Sequence, residues 1–425
     1  MKKIIPLLLV VFLELAAFSM ILPILPFLIK EQGGSNLTVT NITGIFALTS
    51  FIFAPFWGSL SDRYGRKIIL IGLLFMSALN YVWMAFSSVL WMVLLSRIMS
   101  GVFAGWMSVV QSWVADLTDK KHRTAALGMI GATFGVGFAI GPAIGGLLID
   151  NEIQAIIIAV PVVGEWIGWL INLLPNHHQF PIMVAGLITA LMALAGIWLL
   201  PFNRPALIGK GKGADEHRLP KEKFYQKLLA VFFSPLWRDK LIGRYLLLVF
   251  LGQVAFSTLE SVFAIWGQAN FDYTAKDISY IFAIIGMVTI IVQGGLMRWL
   301  VKYLGERRVM QIGLLMLIAT FLLLNFFPAL VPQGNFLRLL VSMVAVGFSL
   351  YQPALSGSLS QYSPMDKQGA VLGLAQSLQS LARGLSAIFL GGLFTIVGNN
   401  VFITPAFLFI VAFILVCRLP KKILV

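Results

Sequence analysis

Two carboxylates stand in the middle of long apolar runs: Glu14 in "LLLVVFLELAAFSMI" and Glu260 in "GQVAFSTLESVFAIW". An ionised acid in such surroundings is costly, so an acid kept there points to work on charge: loading and releasing a proton, or holding a cation. Arg97, Arg338 and Arg383 are basic counterparts in similar runs. They are suited to pairing with those acids or, for Arg383, to taking an anionic group of a ligand. Gln253 and Trp266 lie along the same predicted helix as Glu260 and are candidate neighbours of its carboxylate. Trp106, Met107, Trp266 and Tyr351 suit stacking and cation–π contact with a flat lipophilic cation.

Composition says what must position these groups. The chain has 425 residues, of which 59% are hydrophobic and only 11% charged, and its mean hydropathy is +0.91. That describes a protein dissolved in lipid. Apolar runs long enough to cross a bilayer as helices are predicted over 5–29, 42–60, 68–87, 89–112, 124–149, 181–201, 244–268, 277–300, 309–329, 335–358, 369–395 and 401–418. Lys2, Lys3, the loop near 63–67, "DKKHR" at 119–123, the 202–243 connection, "KYLGERR" at 302–308 and "RLPKK" at 418–422 all fall on one side of this layout. The positive-inside rule makes that side cytoplasmic and puts both termini there. The net charge of +14 therefore reads as topology and contact with anionic lipid, not nucleic-acid binding.

Other chemistries find no residues to carry them. The first run follows Met-Lys-Lys like a signal peptide, but it is too long and lacks a small-residue cleavage pattern, so it reads as a span. A single cysteine, Cys417, excludes an internal disulfide, and four scattered histidines show no metal-ligand spacing. No G-x-x-x-x-G-K-[ST] run is present for ATP. No metal and no cofactor is expected; the mid-membrane acids are suited to drawing on a proton gradient.

The chain repeats itself. "SRIMSGVFAGWMSVVQ" from Ser96 matches "LRLLVSMVAVGFSLYQ" from Leu337, and "YGRK" at 64–67 matches "LGER" at 304–307, both at an offset of about 240 residues. The polar segment 202–243 is the expected cytoplasmic linker between an N-terminal six-helix bundle, 1–201, and a C-terminal one, 244–425. Residues 150–180 are apolar but interrupted by Pro161, Glu165 and Pro175, and are expected to lie on the outer face as an interfacial insert.

"GSLSDRYGRK" at 58–67 connects the second and third spans. Gly58 and Gly65 allow tight turning, and Asp62 with Arg66 forms a charge latch between helix ends, with Asp116 expected to join it. The stretch resembles the loop signature of the major facilitator superfamily, G-x-x-x-D-R-x-G-R-[KR], at Gly58, Asp62, Arg63, Gly65, Arg66 and Lys67. "GVGFAIGPAIGG" at 135–146 resembles the antiporter motif of that family's drug exporters at Gly137, Gly141, Pro142, Gly145 and Gly146. "FSMILPILPFL" resembles the proline-rich first span of its twelve-span drug:proton antiporters, and the first half is most similar to tetracycline exporters. In those exporters acids in spans one and three and an arginine in span four matter. The resemblance carries two of these over to Glu14 and Arg97, while Asn80 stands where the third acid would be and is expected, with Glu14, Arg97, Glu260, Arg383, Gln253 and Trp266, in the proton-coupling and substrate cavity.

The fold implied is an all-α integral membrane protein with twelve transmembrane helices in two pseudo-symmetric six-helix bundles. The function implied is export of a small amphipathic molecule, cations included, in exchange for protons. It would be carried out by a monomer in the cytoplasmic (inner) membrane in contact with lipid, without chemical catalysis. An exporter of a native metabolite or siderophore, a lipid flippase, and a non-transporting receptor or scaffold are the alternatives.

Overall fold

Inside a bilayer every backbone N–H and C=O must find its partner within the protein, so apolar runs of this length form helices. The computed structural model describes residues 4–118, 120–159, 163–200, 235–330, 335–363 and 368–420, and every regular element among them is helical. Ten stretches are long and apolar enough to cross a membrane. The last, Val371–Cys417, is in fact two helices, Gln368–Val397 and Ile403–Cys417, joined by a tight turn at Gly398–Phe402, and Lys120–Ile149 adds one more. Twelve spans result.

The first span is Ile5–Ile21 followed by Leu25–Glu31; Pro26 opens the second piece, where its missing N–H leaves no bond broken. Next come Asn36–Tyr64, Arg66–Ala85, a fourth span in two pieces (Leu90–Phe103 and Trp106–Leu117), Lys120–Ile149 and Phe180–Leu199. The second half contains Lys240–Phe271, Ala275–Leu304, Glu306–Leu330, Asn335–Tyr362 and the two last helices. The second span begins at residue 36, not 42. "SNLTVTN" is polar, but Ser35 accepts from the N–H of Thr38 while Thr38 accepts from that of Ser35, and this capping box starts the helix early. Thr274 and Asp277 start the eighth span the same way. That span loosens into a π turn at Val292–Leu296 around Gly294 and Gly295.

The expected insert contains two short helices, Asn151–Ile158 and Val163–Leu173. At 1.5 Å per residue they are about 12 and about 17 Å long, too short to cross. Trp166 and Trp169 are exposed on the second. Most of the expected 202–243 linker, and the terminal residues 1–3 and 421–425, lie outside the described residues.

Within the first half the first span packs on the fifth and sixth, and the third on the sixth; within the second half the eleventh packs on the seventh, and the ninth on the tenth and twelfth. The halves meet where the fifth span lies along the eighth and the second along the eleventh. One end of the bundle carries Asp62 and the opposite end Asp150. Arg63, Arg66, Lys67, Lys240, Arg244, Lys302, Arg307, Arg308 and Arg418 all lie at the Asp62 end, against Lys30, Lys276 and Arg338 at the other. Two polar ties between the halves, Lys30 Nζ to Gln268 Oε1 and the ion pair of Lys276 with Asp150, both lie at the Asp150 end.

The repeat is visible in how helix ends are closed. Gly65 and Gly305 stop the second and eighth spans at φ +97° and +77°, a conformation that favours glycine. Two residues beyond Gly65, Lys67 donates to the last carbonyls of the sixth span, Ile197 and Leu200, at 2.7 and 2.9 Å. Its counterpart Arg307 donates to the carbonyl of Cys417 at the end of the twelfth. In both halves a cation thus satisfies orphan carbonyls at a helix C-terminus.

Candidate functional site

Glu14 is fully buried, about 14 Å along the first span from Ile5 at 1.5 Å per residue. Its carboxylate accepts from Thr189 Oγ1 of the sixth span at 3.0 Å, and the hydroxyls of Ser77 and Tyr81 on the third also reach it. Among the described residues no cation forms an ion pair with it. Sequence reasoning missed this cage. Its only signal was hydroxyl residues inside apolar spans, with Ser77 and Tyr81 one helical turn apart.

Among the described residues Arg97 does not pair with Glu14. It lies about 10 Å from Leu90, the Asp150-side start of the fourth span, at 1.5 Å per residue. It is buried, its Nη2 donates to Met84 Sδ at 3.6 Å, and its Nε has no hydrogen-bond partner. Tyr81 interacts with both Glu14 and Arg97. Arg338, its sequence counterpart, is exposed, so the match in sequence is not one of environment. Asn80 is also not a cavity residue: its Nδ2 donates to Ser100 Oγ at 2.8 Å, tying the third span to the fourth in the interior.

In the second half Glu260 Oε2 lies 3.3 Å from Arg383 Nε, joining the seventh span to the eleventh near mid-helix. Gln253 turns instead to Ser257 of its own helix, donating at 2.9 Å. Trp266 does not line a cavity either; it is wholly buried among Phe263, Phe271 and Phe402. Trp106 is buried too, and Tyr351 is buried with its hydroxyl donating to the carbonyl of Leu248 at 2.7 Å. Large rings at the helix seams fill volume, so these three do not form an aromatic cage for a cation.

At the Asp62 end the charged loop closes on itself. Arg66, largely buried, pairs with Asp62, four residues before it across the Gly65 break, and its Nε donates to Asp116 Oδ2 of the fourth span at 3.0 Å. Its Nη1 donates to Ser61 Oγ at 2.6 Å and to the carbonyl of Gly58 at 3.3 Å. Arg63 lies over the ring of Tyr64 at 5.3 Å. The second copy inverts the charge: Glu306 stands where Arg66 does and accepts from Ser358 Oγ at 2.7 Å and Gln361 Nε2 at 2.8 Å, both on the tenth span. At this end the named hydrogen bonds stay within one half.

The glycines of 137–146 divide between two neighbours. A Cβ on Gly141 would stand 2.1 Å from Ser19 Oγ and 2.3 Å from the carbonyl oxygen of Ala16, so the fifth span touches the backbone of the first there. Gly137 and Gly145 face the same span, and Ser19 Oγ donates to the carbonyl of Gly137 at 3.2 Å. Gly146 faces Ser279 of the eighth span, and Pro142 stays inside the helix. The fifth span is therefore clamped between the acid-bearing first span and the other half of the molecule.

Comparison with known proteins agrees with this architecture. A family profile, Major Facilitator Superfamily, matches residues 7–387 and, in a second alignment, 295–422. The chain is 29% identical to tetracycline resistance protein class H of Pasteurella multocida over 386 residues, covering 89% of this chain and 86% of the relative. It is 28% identical to multidrug resistance protein 2 of Bacillus subtilis over 403 residues, covering 94% and 91%. Among solved structures, the human organic anion transporter MFSD10 (TETRAN) superposes with a TM-score of 0.70 at 23% identity, covering 98% of this chain and 99% of its own. A bacterial homolog of the human lysosomal transporter Spinster does so at 0.72 and 16%, covering 97% and 95%. With twelve spans in two halves and a match running nearly end to end, this multi-pass membrane protein belongs to the Major Facilitator Superfamily.

Proposed function

We propose that the protein is a proton-coupled antiporter, exporting an amphipathic small molecule across the cytoplasmic membrane by alternating access. It works as a monomer with both termini in the cytoplasm. The observation that carries this reading is the Glu14 cage: a buried mid-membrane carboxylate held by hydroxyls and, among the described residues, paired with no cation. Such a group is free to take a proton from one side and give it to the other as the halves rock. The first span that bears it is clamped by the fifth, which in turn contacts the other half, so charge on Glu14 and the arrangement of the halves share one set of contacts. The crowd of cations at the Asp62 end supports placing that end in the cytoplasm. The named relatives, resistance proteins for tetracycline and for multiple drugs, support a small-molecule substrate.

Dissipation of a preset pH gradient in inside-out vesicles by a panel of amphiphiles tests the reading. Native protein is expected to dissipate it with one chemical class, and Glu14→Gln, equally expressed and folded, to lose that activity. Unchanged dissipation by Glu14→Gln removes the carboxylate from the mechanism.

A second reading rests on an apolar groove of about 260 Å³ between the first and sixth spans, lined by Leu9, Leu13, Leu191, Met192 and Leu199 among others. None of the polar groups above lines it, and its chemistry is that of an acyl chain. Lipid moved between leaflets in the same vesicles, with the amphiphile panel silent, would favour a flippase.

A further inference from the structure

We propose that Glu260, Arg383, Phe256 and Phe348 form the site that selects the substrate, and that it takes a flat aromatic zwitterion. This rests on the transport reading above and names its substrate class.

The argument starts from the pair. Glu260 and Arg383 are within ion-pair distance at 3.3 Å, yet Arg383 Nε makes no hydrogen bond, and no other hydrogen bond from Arg383 is present among the described residues. A guanidinium offers five N–H donors, so most of its capacity is unused. Neither side chain is sealed off: 31% of Arg383 and 13% of Glu260 remain exposed. The next residue, Gly384, lies against Leu48 of the second span, so the pair stands at the seam between the two halves.

An apolar wall adjoins the charges. Phe256 precedes Glu260 by one helical turn on the seventh span and shares its face. It stacks on Phe348 of the tenth with centroids 3.7 Å apart and planes 13° from parallel. Both rings are only partly buried, unlike Trp266 and Tyr351. One turn beyond Phe348 the amide oxygen of Gln352 is buried with no hydrogen-bond partner. Because the seventh and tenth spans run in opposite directions, the ion pair lies on one side of the stacked rings and the unpartnered acceptor on the other.

A ligand with one charge would occupy one member of the pair and leave the other unpaired at bilayer depth. A ligand with both charges answers both, with its ring plane on the phenylalanines and an N–H for Gln352. The pair is thus an exchangeable stand-in for a zwitterion.

The test uses three flat dyes of similar shape: a free-acid rhodamine, zwitterionic at neutral pH; its methyl ester, a cation; and fluorescein, an anion. Binding to the full chain in lipid nanodiscs, with no gradient, is followed by fluorescence anisotropy. The free acid is expected to bind about tenfold or more tighter than either single-charge dye, the scale of one close charge pair. Arg383→Gln should level acid with ester, and Glu260→Gln should weaken both. The double exchange Glu260→Arg with Arg383→Glu keeps both charges and should restore preference for the acid, which a merely structural ion pair has no reason to do. This double variant also decides the matter if a single one fails to fold. Tightest binding by the ester or fluorescein, no binding of the acid, or an acid preference that survives loss of Arg383 overturns the proposal. Gradient dissipation with the same dyes separates the two readings. Glu14-dependent proton exchange without preference among dyes sinks this site alone, whereas selective acid binding without proton exchange keeps the site and sinks the antiport.

Discussion

A hydroxyl cage does for a carboxylate what a salt bridge does not. Thr189, Ser77 and Tyr81 can donate to Glu14 when it is ionised, and as acceptors they can also receive the proton of the neutral acid. A lysine or arginine would serve only the ionised form. In the proposed proton cycle the cage would therefore keep Glu14 partnered in both of its protonation states. Thr189→Val and Tyr81→Phe are each expected to cost roughly 1–3 kcal/mol, the range for a hydrogen bond to a buried or charged group. Thermal unfolding in a fixed lipid would measure this. In a Glu14→Gln background the same changes should cost less, because the partner they served is gone. Equal costs in both backgrounds would mean that the hydroxyls stabilise their own helices rather than the acid. Asp62→Asn belongs to the same scale. Asp62 is half-exposed and Arg66 retains Asp116 and Ser61, so the loss is expected to stay under about 1 kcal/mol.

Between elements, close approach decides more than charge does. At Gly141 the obstacles to a Cβ include the backbone oxygen of Ala16, which cannot turn aside, so Gly141→Ala must push the first and fifth spans apart. Overpacking of this kind costs typically about 1–3 kcal/mol, and the thermal midpoint should fall accordingly. Gly294, in the π turn of the eighth span, meets nothing within 4 Å, so Gly294→Ala carries no such steric cost and separates crowding from composition. These elements also show what a lipid-soluble sequence discloses. The spans were legible because the bilayer imposes length and polarity, and the 58–67 loop because its charges stand out against an oily chain. The start of the second span was not, since "SNLTVTN" is polar and only the capping box reveals a helix. Facing was also hidden. A run apolar all round carries no period to say which side meets lipid, another helix or a cavity, so Trp266 and Asn80 read as cavity residues yet lie in helix seams. Glu260 and Arg383 were each visible, but their meeting needed the packing of the seventh span on the eleventh.

For the whole molecule, the uneven distribution of ties between the halves defines a state. The second and eleventh spans meet near Thr40 and Gly391, the fifth and eighth near Gly146 and Ser279, and Asp150 pairs with Lys276 close by, all at one end. At the other end the Arg66 and Glu306 networks each hold their own half together. On the alternating-access reading proposed above, this is the arrangement closed at the Asp150 end, and alternation would require those closing contacts to part while the Asp62-end networks move as units. The hydrogen bond from Lys276 holds the Asp150 carboxyl below the usual carboxylate range, against the opposing effect of its partial burial. A depressed carboxyl contributes fully above its ordinary range and loses that contribution as pH falls through its lowered value, so acid should loosen this end. Asp150→Asn should do the same at neutral pH. Spin labels at exposed Val89 and Ile396, on the two halves near that end, would report it as a shift of the distance distribution to longer values. The acid response should then vanish in Asp150→Asn, which leaves the contact of Glu31 with His178, 2.7 Å apart at the same end, in place. An acid response that persists in Asp150→Asn would show that the Asp150–Lys276 pair is not the latch. An absent response in the native chain would mean that packing of glycine on helix alone keeps the end closed.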